Sequence, residues 1–279
     1  VRAVKADNGC PGCELPQASL WWVEMIGANF KGADLSGANL WWSDLQKADL
    51  RDANLAGASL WWADLREAAL DGANLESTSL GRADLRGALG AGVKFNLADM
   101  SGTNLSGGSF PGAGFRRAHM LQAVILKTNL QGADFTQANL HAVNMTGTDL
   151  SGATLIEASL TGTNMTGVNL AGANLQGAHL SDAKLIGVNL RGANLKEASL
   201  PVADLTDADL SGANLQGANM TWSNLTSANL QDADLTGANL GTADLTGADL
   251  TNAKMSGVVL DGAKLCKTKL PTGTDNSGC

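Results

Sequence analysis

The chain has 279 residues and a formal net charge of −8, with 27 acidic residues against 19 Lys and Arg. This acidity argues against a basic nucleic-acid binder, so we expect no nucleic-acid partner. Charged residues make up 16% and apolar residues 44%, which argues against a disordered polyelectrolyte. No stretch approaches the roughly 20 consecutive apolar residues of a membrane-spanning helix, so no membrane span is expected.

The first residues stand outside the repetitive pattern that fills the rest of the chain. The sequence begins at Val1 rather than Met and shows no signal peptide, so we expect that a preceding segment was removed. The lead-in covers residues 1–12 and contains most of the motif Cys10-Pro11-Gly12-Cys13.

An apolar residue occupies every fifth position from Leu15 to Leu270. These 52 positions hold 38 Leu, 7 Met, 5 Phe and 1 Ile, and Gly90 is the one exception. Two residues before them, 36 of the 52 positions are Ala and the others are also small. Alternating steps of two and three fit neither one stripe of a helix nor one face of a flat strand. The pattern predicts short strands that bend after each inward pair and coil around an axis.

The length of one coil follows from a second, longer period. Pairs of tryptophan recur at intervals of twenty residues. Four blocks of five therefore form one square coil, and residues 13–270 make about 13 coils, which at about 4.8 Å per coil gives a rod about 60 Å long.

Blocks such as Ala208-Asp209-Leu210-Ser211-Gly212 resemble the A(D/N)LxG repeats of the pentapeptide-repeat proteins. The resemblance implies an all-β fold, a right-handed quadrilateral parallel β-helix, with the central Leu and the preceding small residue inward. It implies little about activity, because the family is functionally diverse. Both ends, Cys10–Cys13 and Leu265–Cys279, are similar to the termini of exported bacterial, notably cyanobacterial, members. The expected organisation is a lead-in over 1–12, a β-helix over 13–270 and a tail over 271–279.

The repeat weakens near residues 86–115, where Gly90 replaces an apolar residue and further Gly and Pro residues follow. We predict irregular coils there, a bulge or a bend, since a linker would be longer and more polar. Residues 86–127 carry five cations and one Asp, a local +4, whereas residues 201–250 carry seven Asp and no cation. Opposite charge zones would let copies of the chain associate, and drift at solvated positions is the alternative.

Candidate catalytic or metal-binding residues are few. His119 and His179 share a predicted column but lie three coils, about 14 Å, apart. His119 and His141 lie near one corner, yet no acidic or thiol residue completes a site. The regular outward Asp and Asn residues indicate solvation and side-chain hydrogen bonding along each face. We therefore predict no enzyme activity, no catalytic residue, no metal and no cofactor.

The four cysteines lie at the two ends of the chain. Cys10 and Cys13 are separated from Cys266 and Cys279 by about 60 Å on the coil count, which excludes a four-thiolate zinc site within one chain. One alternative is two local disulfides, Cys10 to Cys13 and Cys266 to Cys279, that fasten the ends. The other is a junction between the tail of one molecule and the head of the next. Cysteines at both ends predict export to an extracellular, periplasmic or thylakoid-lumen-like compartment.

Six of the seven tryptophans form an array on outward positions of one edge near the N-terminus. Each ring presents about 150–250 Å² of mostly apolar surface, and such a patch usually marks a contact. The alternative is an aromatic ladder that stiffens the first coils. The array consists of Trp21, Trp22, Trp41, Trp42, Trp61 and Trp62.

Two functional hypotheses remain. The first is a non-catalytic structural or interaction protein: a rigid exported rod that self-associates, in one version end to end into a fibre, or that binds an unidentified protein or surface partner through the Trp array. The second follows from the resemblance, because some pentapeptide-repeat proteins resemble duplex DNA in shape and charge and inhibit bacterial type II topoisomerases. The acidity favours this DNA mimic, whereas the basic zone at 86–127 and the cysteine-bearing ends count against it. We favour the first hypothesis.

Overall fold

The computed structural model describes residues 9–279, so the first eight residues of the expected lead-in lie outside the described residues. The chain divides into two compact units, residues 1–143 and residues 144–279. In both units a two-residue turn alternates with a parallel bridge every five residues. No α-helix occurs between residues 9 and 279, and that part of the chain contains no helix that could cross a membrane.

Each bend of the chain is a four-residue turn that runs from an inward apolar residue to the next small residue. In the turn from Leu35 to Ala38, the N–H of Ala38 donates to the carbonyl of Leu35 at 3.0 Å. The third residue, Gly37, has a φ of 63°. A positive φ at this position is typical of a type II turn, where glycine is favoured because it has no Cβ. Glycine therefore recurs at one fixed position of the repeat.

Parallel pairing joins residues that are twenty positions apart. Asp34 pairs with Asn54, and Asn54 pairs in turn with Asn74. The N–H of Leu35 donates to the carbonyl of Asn54 at 2.7 Å, and the N–H of Asn54 donates to the carbonyl of Ala33 at 2.9 Å. Each turn of the coil therefore has four sides, at the interval that the sequence predicts. The right hand of the coil and the count of about 13 coils stay predictions.

The core consists of the apolar column and the small-residue column. Leu35 and Ala38 in the first unit and Leu175 in the second are 0% exposed, which places the fifth-position residues inside the coil. Where Thr replaces Ala, its hydroxyl finds a partner in the turn: Thr103 Oγ1 donates to the carbonyl of Met100 at 2.6 Å. A buried hydroxyl is tolerated here because it is hydrogen-bonded.

Between residues 86 and 115 the turns and bridges continue in register, where the sequence predicts irregular coils. The reason is the position of the Phe110 ring. A Cβ atom added to Gly90 would lie 2.9 Å from Phe110 Cδ1, and one added to Gly108 would lie 2.6 Å from Phe110 Cε2. The ring thus fills the space that two missing side chains would leave, so the core stays packed without a bend in the backbone.

The C-terminal tail folds back on the last residues of the repeat and forms a hairpin with them. Strand β1, Thr268–Leu270, pairs antiparallel with strand β2, Gly273–Asp275. After β2, the carbonyl of Ser277 accepts a hydrogen bond from the N–H of Leu265 at 2.9 Å. In earlier coils the equivalent N–H group donates to the next coil, so the tail takes the place of a further coil at Leu265.

Two outward aspartates of the second unit have a lowered pKa. The Thr236 hydroxyl donates to Asp234 at 2.6 Å and Lys254 Nζ donates at 3.0 Å, and these bonds, with the Thr236 bond the largest effect, hold the pKa of Asp234 well below its ordinary value. Lys269 Nζ donates to Asp249 at 2.8 Å and is the main reason why the pKa of that carboxyl is also low. Both aspartates are therefore expected to stay ionised in mild acid.

These lowered pKa values predict a loss of stability in acid. Because each folded-state pKa lies below the unfolded value of about 3.9, the stabilisation is fully present above about pH 4 and is lost as the pH falls through the folded pKa. We expect the urea midpoint to fall below about pH 4, and to fall less in the variant Asp234→Asn/Asp249→Asn. Asp232→Asn, at an exposed neighbour, is the control. Equal acid sensitivity of the double variant and the parent would contradict this assignment.

Candidate interaction surface

The six clustered tryptophans occupy two adjacent turn positions in three successive coils of the first unit. Their exposed fractions run from 37% at Trp61 to 69% at Trp22, so the described chain leaves all six rings accessible. We call this set the Trp edge; it comprises Trp21, Trp22, Trp41, Trp42, Trp61 and Trp62.

One column of the Trp edge is stacked. The ring centroids of Trp22 and Trp42 lie 5.5 Å apart with an interplanar angle of 29°, and those of Trp42 and Trp62 lie 5.1 Å apart at 13°. These distances are close to the spacing of about 4.8 Å between paired strands, so the coil itself brings the rings into stacking distance. The geometry therefore contains an aromatic ladder and an exposed aromatic surface at the same edge.

An arginine ends this ladder. The guanidinium carbon of Arg82 lies 5.0 Å from the centroid of the Trp62 ring, within the range of a cation–π contact. Sequence reasoning missed this residue. Arg82 follows Trp62 by twenty residues, so the same period that grouped the tryptophans could have identified it.

The other column of the Trp edge ends on a glycine. A Cβ atom added to Gly81 would lie 2.7 Å from Cε2 of Trp61, which shows that the Trp61 indole lies directly over this residue. Trp61 is accordingly the least exposed ring of the six, at 37%. The absence of a side chain at Gly81 makes room for the ring.

A groove runs beside the first two rings of the stacked column. It has a volume of about 340 Å³ and is lined by Trp22, Val23, Glu24, Trp42 and Asp44. It combines aromatic walls with two carboxylates, so it is not a purely apolar patch.

The seventh tryptophan, Trp222, belongs to the second unit and is 68% exposed. The ring contacts found between tryptophans all lie within the stacked column of the Trp edge, among the residues that the structure describes. Trp222 therefore supplies a natural control for the properties of a single exposed ring.

The cysteines are paired locally in the structure. Cys10 is bonded to Cys13, with Cα atoms 5.4 Å apart, and Cys266 is bonded to Cys279, with Cα atoms 4.7 Å apart. This arrangement corresponds to the first of the two alternatives that the sequence leaves open. The residues from 9 to 279 include no free cysteine.

Among the described residues, the histidines do not belong to any group of three possible metal ligands. His119 lies at a parallel bridge of the first unit, where it pairs with Asn139. His141 occupies a turn of the same unit, and His179 lies at a parallel bridge of the second unit. Within the described part of the chain, no three His, Cys, Asp or Glu residues form a group that could hold a metal ion.

The charge zones seen in the sequence are partly neutralised by residues about one coil away. In the basic zone Arg116 Nη1 lies 3.1 Å from Asp134 Oδ2. In the acidic zone Asp244 pairs with Lys264 at 3.2 Å, just as Asp249 pairs with Lys269. A count along sequence windows misses these pairs, because the partners are 18 to 20 positions apart. The two zones are therefore less polarised than the sequence suggests.

Comparison with known proteins identifies the family to which the repeats belong. The family model for pentapeptide repeats matches in eight copies, over residues 12–41, 33–70, 68–107, 98–137, 133–172, 163–200, 203–241 and 243–270. No curated protein matches the sequence.

Several solved structures are similar to this chain. HetL, a pentapeptide repeat protein involved in heterocyst differentiation regulation from the cyanobacterium Nostoc sp. strain PCC 7120, is 26% identical over 98% of this chain and 95% of that chain, with a TM-score of 0.38. Rfr23 from the cyanobacterium Cyanothece 51142 is 39% identical over 32% of this chain and 58% of its own, with a TM-score of 0.27. A pentapeptide repeat protein from the thylakoid lumen of Arabidopsis thaliana is 32% identical over 34% of this chain and 63% of its own, with a TM-score of 0.27.

Proposed function

Because this chain belongs to the pentapeptide-repeat family, whose members are generally non-catalytic structural or interaction proteins, we propose that it is an interaction protein whose binding surface is the Trp edge. The partner is a second copy of the chain or another protein or surface, and it is not a nucleic acid. The observation that carries this proposal is the grouping of six exposed indole rings in three successive coils.

The arrangement of the rings suits binding. Tryptophan is enriched among the residues that dominate protein interfaces, and a contiguous apolar patch of this kind on a folded surface marks a contact site. The stacked column is already ordered by the coil, so binding loses less side-chain entropy than it would with freely rotating rings. Stiffening and binding are therefore compatible roles for the same six residues.

Contact through the C-terminal end is a second candidate, favoured by an apolar cavity of about 430 Å³ lined in part by Met255, Leu260 and Pro271. Two features make it the weaker candidate. The tail occupies the position of a further coil at Leu265, and the Cys266–Cys279 disulfide leaves no thiol there for a junction between molecules.

The test compares the intact Trp edge with one that lacks its stacked column. The variant Trp22→Ser/Trp42→Ser/Trp62→Ser is expected to lose a contact that the parent and Trp222→Ser both keep. Light scattering detects self-association as a mass above 28.6 kDa that the triple variant loses. If the parent is a monomer, the parent and the two variants are each immobilised and exposed to a cell extract. A protein that the parent and Trp222→Ser retain, and the triple variant does not, is purified, and its complex with the parent is reconstituted from the two pure proteins. The same mass and the same reconstituted complexes for all three proteins would overturn the proposal.

We also propose that the protein works outside the reducing cytoplasm. The pairing of all four cysteines at the two ends supports export, since disulfides persist in oxidising compartments. Thiol titration of protein purified from its own cells should find no reactive thiol before reduction and four after it. Four free thiols in the native protein would place it in the cytoplasm and would favour the DNA-mimic hypothesis instead.

A further inference from the structure

A column of acidic residues runs beside the stacked tryptophans, and its later members are neutralised by arginine. The backbone at Asp44 forms a parallel bridge with Asp64 in the next coil, and Asp64 forms one with Asp84. Arg66 binds Asp64 through Nη2 at 2.6 Å and Nε at 2.9 Å. Arg86 binds Asp84 with the same two distances. Each of these carboxylates therefore has a guanidinium partner two residues along the chain.

The first two members of the column have no such partner. Glu24 is followed two residues later by Ile26, and its side chain makes no hydrogen bond or ion pair with any residue between 9 and 279. Asp44 accepts two bonds of 3.1 Å from Gln46, which is uncharged. Paired strands lie about 4.8 Å apart, so a cation placed between these two side chains would be attracted by both carboxylates.

The stacked tryptophan column also differs between its two ends. At its far end the guanidinium of Arg82 lies against Trp62. At its near end Trp22 is 69% exposed, more than any other ring of the Trp edge. The angle between Trp22 and Trp42 is also wider than that between Trp42 and Trp62, 29° against 13°. Among residues 9–279, the ladder thus ends on a cation on one side, whereas on the other side no ring or cation contact to Trp22 is found beyond Trp42.

The groove of about 340 Å³ brings these two incomplete columns together, because Trp22 and Trp42 form its aromatic walls and Glu24 and Asp44 supply its carboxylates. We propose that this groove binds the Arg or Lys side chain of a basic, extended segment of a partner protein. The proposal rests on the function proposed for the Trp edge and names the chemistry of its partner. In the acidic column, the bound cation pairs with Glu24 and Asp44 as Arg66 and Arg86 pair with the later carboxylates. In the tryptophan column, it lies against Trp22 as Arg82 lies against Trp62.

A groove of this kind binds weakly and with strong salt dependence. Exposed ion pairs and cation–π contacts each contribute little on their own, and screening shortens the reach of exposed charges to about 8 Å at physiological ionic strength. A useful affinity therefore requires a segment that carries more than one cation and that also covers the neighbouring rings. Neutral sugars and apolar peptides lack the positive charge that would pair with the carboxylates of Glu24 and Asp44.

The test uses two peptides and two matched variants of the full chain. The probe is acetylated and amidated Gly-Arg-Gly-Arg-Gly, and its counterpart carries citrulline, which has the shape of arginine without the charge. The groove variant is Glu24→Gln/Asp44→Asn, which keeps every tryptophan. The control variant is Glu14→Gln/Glu67→Gln, which removes the same charge outside the groove. Titrations follow the indole N–H signals by NMR at low salt, and thermal melts verify that all variants fold.

The arginine peptide is expected to shift the Trp22 and Trp42 signals, to bind the groove variant at least fivefold more weakly, and to bind the control variant like the parent. The citrulline peptide should bind neither. Equal affinity of the arginine peptide for the parent and the groove variant would overturn the cation groove. The Trp edge would still stand if the triple Trp→Ser variant loses its partner in the separate experiment above, so the two failures are distinguishable.

A further variant tests whether the chain's own N-terminal cations occupy the groove. Arg2 and Lys5 lie outside the described residues, and both are replaced in Arg2→Gln/Lys5→Gln. Binding of the arginine peptide by the parent as well as by this variant supports a partner segment as the occupant. Binding that emerges only in the variant would overturn the proposal, because the chain's own cations would then fill the groove.

Discussion

Replacing Leu175 by Asp is expected to unfold the second unit. The Leu175 side chain is 0% exposed, and its N–H group donates to the carbonyl of Asn194 at 2.7 Å, so it lies inside a fully paired coil. An unpaired carboxylate buried there loses its hydration without gaining a partner. The penalty is comparable with the whole stability of a domain, about 5–15 kcal/mol. Leu175→Ala removes the same contacts without a charge and should cost about 2–5 kcal/mol.

Urea unfolding followed by circular dichroism measures both effects. The control is Gln176→Asp, which places the same charge on the adjacent, partly exposed turn residue and should change the stability by no more than about 0.5 kcal/mol. A Leu175→Asp protein that unfolds cooperatively at the parent midpoint would show that this position is not in the core.

Gly90→Leu is expected to destabilise the first unit, although Leu is the commonest residue at this position of the repeat. The backbone of Gly90 is ordinary, because its φ is not positive, so the obstacle is space rather than conformation. A Cβ at this position would lie 2.9 Å from Phe110 Cδ1 and 3.0 Å from Val93 Cγ1. Overpacking of this kind typically costs about 1–3 kcal/mol.

Restoring the usual repeat at all three sites should rescue that loss. In Gly90→Leu/Gly108→Ala/Phe110→Leu, a Leu and an Ala occupy the space that the Phe110 ring takes in the parent. The triple variant should therefore be more stable than Gly90→Leu alone, with a coupling of about 0.5–3 kcal/mol between the sites in a mutant cycle. Stability is measured as the urea midpoint and slope. Additive effects of the three substitutions would mean that Phe110 does not compensate for the two glycines.

The position of the Trp edge is predictable from the sequence, whereas its chemistry is only partly so. A period of twenty residues places Trp22, Trp42 and Trp62 in one column, and that period is visible in the printed sequence. The same period extends to Arg82, but a search for aromatic residues passes over it. Whether Arg66 binds Asp64 or solvent depends on side-chain geometry, which no residue spacing contains.

Residues 86–115 show why the irregular coils were predicted wrongly from local composition. Gly90 and Gly108 look like breaks in the repeat when each is considered alone. They become part of a packed core once Phe110 is placed in the neighbouring coil, twenty residues after Gly90. Side-chain volume is shared between coils, so a loss in one coil is balanced by a gain in the next, and a reading along the chain does not detect the exchange.

The sequence by itself determined the bend every five residues, the pairing interval of twenty and the inward columns, because these follow from the alternation of apolar, small and outward residues along the backbone. Only the tertiary structure decided which rings stack, which carboxylates meet an arginine and how the tail covers Leu265. Those outcomes depend on side-chain geometry within a coil, on contacts between side chains of different coils and on the path of the last residues. Their energies are set by distances of a few ångströms between individual atoms, and the order of the residues alone does not specify such distances.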